Sequence, residues 1–306
     1  IDFDLPEPQI ILDIQGKLPD IIKAERNIAH KIIEEFMIAA NEAVASYITS
    51  LEAPFIYRIH EEPDKDKIED FTEVIRGFGL SVKRKEGLKP KTLQRILEDV
   101  KERPEERLVN HILLRSMKQA RYSTENAGHF GLASENYTHF TSPIRRYPDL
   151  AVHRILKMAM RKEGISEKEK EYLKEILPET AKHSSERERI AMEAERDVVN
   201  LFKINFMKEH IDEVYTGYIS GVTAFGFFVE LEGIFVEGLV HITKLHDDFY
   251  VFNEKDHSLI GTNTKKGYRI GDKVTVIVDK IDAERRKIDF SLIRPKDKKN
   301  KKTAEK

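Results

Sequence analysis

The residues richest in potential chemistry lie between Gly128 and Leu150. The run Gly128-His129-Phe130-Gly131-Leu132 is followed by Tyr137-Thr138-His139-Phe140-Thr141-Ser142-Pro143-Ile144-Arg145-Arg146-Tyr147-Pro148-Asp149-Leu150. Glycines and prolines fix a shaped backbone, and adjacent arginines precede a predicted helix. Guanidinium groups at a helix N-terminus favour phosphate or carboxylate. The competing expectation is structural: Arg145 and Arg146 paired with local acids such as Asp149. Ser142, His139 and Asp149 also have the residue types of a hydrolase triad, but no nucleophile-elbow pattern surrounds Ser142. His129, His139 and Asp149 could supply metal ligands, without a recognisable ligand spacing.

Two carboxylates and an aromatic run add further candidates. Glu35 shares a helical stripe with Ile28, Ile32 and Ala39, where an acid is costly without a partner; a buried salt bridge would supply one. Glu195 sits in Ala194-Glu195-Arg196-Asp197-Val198, where a helix ion pair with Arg189 or with a neighbour of Asp197 is the plain expectation. Thr223-Ala224-Phe225-Gly226-Phe227-Phe228-Val229 carries three aromatics around a glycine. Strict alternation pairs Phe225 with Phe227; a bulge at Gly226 instead brings Phe225 and Phe228 to one face, near His241. Exposed aromatics of this kind stack unpaired bases, whereas one of the three fills a core.

The elements that must position these groups are legible in outline. Helical spacing runs over Arg26–Ser50, with an apolar face of Ile28, Ile32, Ile33, Phe36, Met37, Ala40, Val44 and Tyr47. Further helices are expected at Asp64–Phe78, Lys91–Lys101, Glu105–Arg121, Asp149–Arg161, Ser166–Ile176 and Pro178–His210, with Pro104 separating two of them. Asp2–Asp13 reads as an edge strand or strand pair, and Phe55–Ile59 as a short strand. Beyond about Ile211 the period becomes alternating, with strands at 214–222, 225–232, 235–239, 273–281 and 287–292. Asp282–Arg286 makes the last hairpin turn. Five short strands in about 80 residues indicate a small barrel of the OB type.

Composition sets limits. At 306 residues, 40% hydrophobic and 35% charged, the chain suits about two globular domains. Its apolar runs fall short of a membrane span, and a chain without cysteine fits a reducing cytoplasm. The net charge of −2 hides a basic tail, Arg294–Lys306, with seven basic and two acidic residues. Such a tail is either solubilising or a nonspecific phosphate contact. A start at Ile1 rather than Met reads as a piece of a longer protein.

The stretch from Gly128 to Arg154 closely resembles the signature of the ribonuclease II and ribonuclease R family of exoribonucleases. The likeness extends to His30–Ala45, Tyr57–His60, Leu113–Tyr122 and Ala194–Val198, and looks most like the ribonuclease R branch. Gly217–Leu239 with Val240-His241-Ile242 is similar to the S1 type RNA-binding domain. The resemblance implies an α+β chain. Residues 1–211 would be the C-terminal part of a mixed helix/sheet catalytic domain, 212–293 a five-stranded OB-fold barrel and 294–306 a disordered tail. It also implies Mg²⁺-dependent hydrolysis of single-stranded RNA from its 3′ end to nucleoside monophosphates. The aspartate cluster that holds the ion lies upstream in the family, so no metal ligand is assigned here. Asp2 and Asp4, which would share a strand face, match a different segment.

By the same resemblance, Arg145 clamps the scissile phosphate, Glu35 contacts the terminal ribose and Glu195 is a further active-site carboxylate. Arg146, Tyr147, His139, Phe225, Phe228 and His241 are implied as RNA contacts. Single-stranded RNA is the expected partner, with no membrane and with an N-terminal portion of the same enzyme as a second partner. The alternative is an RNA-binding fragment that cannot cut.

Overall fold

A computed structural model describes residues 1–3, 8–11, 20–80, 89–103, 105–253 and 257–293. Asp4, Pro104 and the basic tail lie outside these residues. In chain order the elements are β1 (Pro8–Ile11), β2 (Asp20–Lys23), α1 (Ile28–Ser50), β3 (Tyr57–Ile59), α2 (Lys65–Arg76), α3 (Pro90–Val100) and α4 (Glu106–Ser116). Then come β4 (Arg121–Ser123), α5 (Tyr147–Ala159), α6 (Glu167–Met207), β5 (Val214–Thr223), β6 (Gly226–Leu231) and β7 (Glu237–His241). The last are β8 (Tyr250–Asn253), β9 (Ser258–Gly261), β10 (Gly267–Arg269), β11 (Lys273–Asp282) and β12 (Lys287–Leu292).

The expected α+β architecture is present. The first part is mostly helical, with β1 paired to β2 and β3 paired to β4, both antiparallel. The amphipathic faces of α2, α3 and α4 bury Phe71, Ile75, Leu93, Ile96, Val100, Val109 and Leu113. A second core joins the C-terminal half of α1, through Ala45 and Ile48, to Phe55, Ile56 and Ile59, to Val152 and Ile155 of α5, and to Leu173, Leu177 and Ala181 of α6.

Three elements depart from expectation. The helix expected to break at Pro178 runs unbroken for 41 residues, about 60 Å at 1.5 Å per residue. Proline removes one backbone bond there, but Leu173, Leu177 and Ala181 pack on both sides of it and hold the helix. Helix α4 stops at Ser116 rather than Arg121; residues 117–120 are irregular and Arg121 begins β4. The apolar stripe of α1 is largely outside the core: Ile28, Ile32, Ile33 and Phe36 are exposed, Phe36 by 68%. Contact with the body is made instead by Asn41, Ala45 and Ile48. Glu35 stands on the exposed face, so the buried salt bridge considered for it is not formed.

Strands β11, β12, β7, β6 and β5 close in that order into a barrel. Phe227, Val229, Val240, Val276, Val278 and Phe290 fill it. A three-stranded sheet of β8, β9 and β10, unforeseen in the sequence, sits between β7 and β11 and stacks Tyr268 on Phe227 with ring centres 4.9 Å apart. The barrel is tied to the helices by Arg107, whose guanidinium lies 3.9 Å from the Tyr218 ring centre, and by Lys203, which donates to the Phe235 carbonyl at 2.6 Å. Among the described residues no helix is long and apolar enough to cross a membrane.

Candidate RNA-processing groove

The loop between Thr141 and Pro148 is closed on itself by one carboxylate. Asp149, in the first turn of α5, accepts the Ser142 amide at 2.8 Å and Arg146 Nη2 at 2.7 Å through the same oxygen, Oδ1. The Arg145 and Arg146 amides both donate back to the Ser142 carbonyl. Pro143 and Pro148 stiffen the two ends. The outcome divides the arginine pair. Arg146 is committed to a fully buried acid, and its own side chain is only 17% exposed. The Arg145 side chain is exposed and has no hydrogen-bond or ion-pair partner among the described residues. Asp149 also neutralises the N-terminus of α5, so the open anion-binding capacity of the loop rests on Arg145.

Arg145, Arg146, Tyr147 and Pro148 form one wall of a groove of about 1110 Å³. The other wall is α6, from Ile176 to Glu195, with His183 and Arg187 between. Glu195 is exposed, and the ion pair with Arg189 is not formed. The α6 wall is tied to β3 and β4 by a clamp that the sequence did not reveal. Arg58 on β3 reaches Glu188 on α6 at 2.6 Å and lies 4.7 Å from the ring centre of Tyr122, the groove floor. The Tyr122 amide donates to Ser185 Oγ at 3.0 Å. The one local signal was a charged residue alternating within the apolar strand Phe55–Ile59.

Beneath the loop lies a set of edge-on rings, Tyr122, His139, Tyr137 and His129, with successive centres 5.1 to 6.0 Å apart. His139 Nδ1 shares a 2.9 Å hydrogen bond with the Tyr122 hydroxyl. The Asp149–His139 pairing of a triad is not formed: Tyr122 takes His139 Nδ1, and Asp149 takes the Ser142 amide and Arg146. Burial pushes the His139 imidazole down to about 2, helped by the positive charges of Arg146 and Arg58. Burial, with His60 and Arg58 nearby, lowers His129 to about 3. His139 is thus a neutral support under the groove rather than one of the residues lining it.

Both depressed imidazoles make stability pH-dependent. The unfolded chain protonates its histidines below about 6.5 while the folded chain does not. Their contribution is therefore complete above pH 6.5 and is lost as pH falls toward their folded values. A single such histidine costs about 1.4 kcal/mol between pH 7.5 and 5.5. The thermal midpoint of His139→Gln is expected to decline less over that interval than that of the parent; identical slopes would contradict the assignment.

Asn41 anchors α1 to the same loop. It is buried, donates to the Tyr137 hydroxyl at 2.9 Å and accepts the Phe140 amide at 3.0 Å. Its spacing with Ala45 and Ile48 could have marked it as a polar residue on the packed face. Asn41→Ala leaves both partners unpaired and is expected to cost about 2–4 kcal/mol. Glu35→Ala, on the exposed face of the same helix, is expected to stay within about 0.5 kcal/mol. Equal losses in denaturant titrations would refute this division of the helix. Glu35 does not line the groove with Arg145 and Glu195.

On the barrel, Phe228 and His241 share a sheet face, and Gly226 pairs with His241. Phe225, 48% exposed, meets Phe228 edge-on with ring centres 6.2 Å apart. The bulge expected at Gly226 lies instead in β5, between Ile219 and Gly221. Gly226 has φ +149°, and a Cβ there would meet the Val240 carbonyl oxygen at 2.3 Å. That close approach sets Phe225, in the turn before β6, beside Phe228. Phe227 points inward and is fully buried. Asp2 pairs with Arg26 at 2.8 Å. No group of three His, Asp or Glu side chains among the described residues is placed to hold a metal ion.

Residues 1–162 match the family model of the RNB domain, and residues 208–293 match that of the S1 RNA binding domain. The chain is 51% identical over 294 residues to ribonuclease R of Aquifex aeolicus (strain VF5), covering 96% of this chain and 41% of that protein. It is 42% identical over 299 residues to ribonuclease R of Escherichia coli (strain K12), covering 96% and 37%. It superposes on Mycoplasma genitalium RNase R in complex with ribose methylated single-stranded RNA with a TM-score of 0.89 at 30% identity, covering 96% of this chain and 46% of that one. The chain thus spans about two-fifths of the length of the curated relatives it matches.

Proposed function

Because the chain belongs to the RNB-domain family and carries an S1 RNA-binding domain, we propose that it grips single-stranded RNA and stabilises the reacting phosphate in a 3′-to-5′ exoribonuclease. The observation that carries this reading is the division of the arginine pair. Arg146 is neutralised by Asp149, whereas Arg145 is exposed on an open groove. A guanidinium presents a fork that matches two phosphate oxygens. It stabilises charge that grows on the phosphate as the linkage breaks. Tyr147 on the same wall offers an exposed ring, and Glu195 a carboxylate along the opposite one.

The barrel supplies the second grip. Phe225 and Phe228 present ring faces for stacking on unpaired bases, with His241 beside them. Glu35, on the exposed face of α1, is assigned the terminal ribose on the family resemblance alone. The Mg²⁺ that the family implies finds no cage among the described residues. By the family resemblance its ligands are the aspartate cluster upstream of the segment matched here. Support for an RNA substrate comes from the M. genitalium relative, whose structure is a complex with single-stranded RNA.

The test uses a labelled RNA with a single-stranded 3′ tail. Mononucleotide release in the presence of Mg²⁺, abolished by a chelator, supports the exoribonuclease. Binding without shortening, by this chain and by the full-length enzyme alike, supports an RNA-binding protein that does not cut.

A further inference from the structure

We propose that Asp149 is a positioning residue for Arg145, an inference that rests on the reading of Arg145 given above. Asp149 has no exposed surface, and its Oδ1 closes the loop by taking the Ser142 amide at its start and Arg146 Nη2 from within it. The Ser142 bond encloses residues 143–148, with a proline at each end, and the Arg146 bond ties the residue next to Arg145 to the same oxygen. Removing the carboxylate frees the Ser142 amide and the Arg146 guanidinium together. Residue 145 then loses the held backbone that presents its side chain to the groove, without losing any bond of its own.

The carboxylate is shared rather than given to one partner: a single buried oxygen holds a backbone amide at the start of the loop and a guanidinium next to Arg145. The same geometry gives Arg146, which also lines the groove, a role beside the RNA contact expected of it: its guanidinium is one side of the latch.

The experiment is a double-mutant cycle in the full-length enzyme, with Arg145→Ala, Asp149→Asn and both changes together. Single-turnover cleavage, RNA affinity and thermal midpoint are measured for each. The Asp149→Asn change keeps an acceptor for the Ser142 amide and removes the charge that holds Arg146. The expected result is a fall in turnover of at least about fivefold from Asp149→Asn in the parent. The same change should have an effect below about twofold once Arg145 is replaced by alanine, whatever happens to the midpoint. Equal falls in both backgrounds, or no fall in either, overturn the positioning role. Unchanged turnover in Arg145→Ala alone is a distinct result and overturns both this role and the reading beneath it. If Asp149→Asn does not fold, Arg146→Gln opens the latch from its other side and the cycle is read in the same way.

Discussion

Arg145→Ala in the full-length enzyme is expected to lower turnover of single-stranded RNA by about 10²–10³-fold, a loss of roughly 3–4 kcal/mol of transition-state stabilisation. Ground-state affinity should fall by less than about tenfold. The asymmetry follows from where the charge develops. The phosphate is already anionic when RNA binds, and other contacts along the groove and on the barrel share in holding it. On the proposed reading, charge builds on the linkage opposite residue 145 only during bond breaking. Arg145→Lys keeps the positive charge and loses the fork, so it should fall between parent and alanine. Rapid-quench single-turnover kinetics beside equilibrium binding separates the two quantities. Equal losses in both would assign Arg145 to simple binding.

The second large effect comes from two phenylalanines two residues apart in the barrel. Phe227 is fully buried and stacked on Tyr268, so Phe227→Ala is expected to destabilise the barrel by about 3–5 kcal/mol. Phe225 lies in the turn before β6 with nearly half its surface in solvent. Phe225→Ala should leave stability within about 0.5 kcal/mol. Its cost should appear as about 1–3 kcal/mol of RNA affinity, roughly 5- to 150-fold. Denaturant titration and RNA binding, run on both variants, read these separately. A Phe225→Ala protein that unfolds as readily as Phe227→Ala, or binds RNA like the parent, would place the stacking surface elsewhere.

Much of the molecule was legible from local pattern. The alternating segments beyond Ile211 gave the five strands that close the barrel, and the helical periods of α2 and α3 matched the faces they bury. The run from Gly128 to Asp149 carries its chemical density in plain residue types. What failed depended on partners distant in the chain. Ile28, Ile32 and Phe36 carry a core-like period, yet the packing they predict is absent among the described residues, while Asn41 holds the helix to the loop. Pro178 signals a break that packing overrides. The Arg58–Glu188 clamp joins residues 130 positions apart, and no local spacing encodes it. Adjacency could not separate Arg145 from Arg146, because the distinction is made by which guanidinium reaches Asp149 once α5 has formed.

The most direct test is the position of the Arg145 guanidinium in a crystal structure of the full-length enzyme bound to RNA with a non-hydrolysable 3′-terminal linkage. The expected geometry is a pair of hydrogen bonds of about 2.7–2.9 Å from the guanidinium to non-bridging oxygens of that linkage, with Arg146 still on Asp149. An Arg145 side chain turned out of the groove while the linkage is held by other residues would contradict the account.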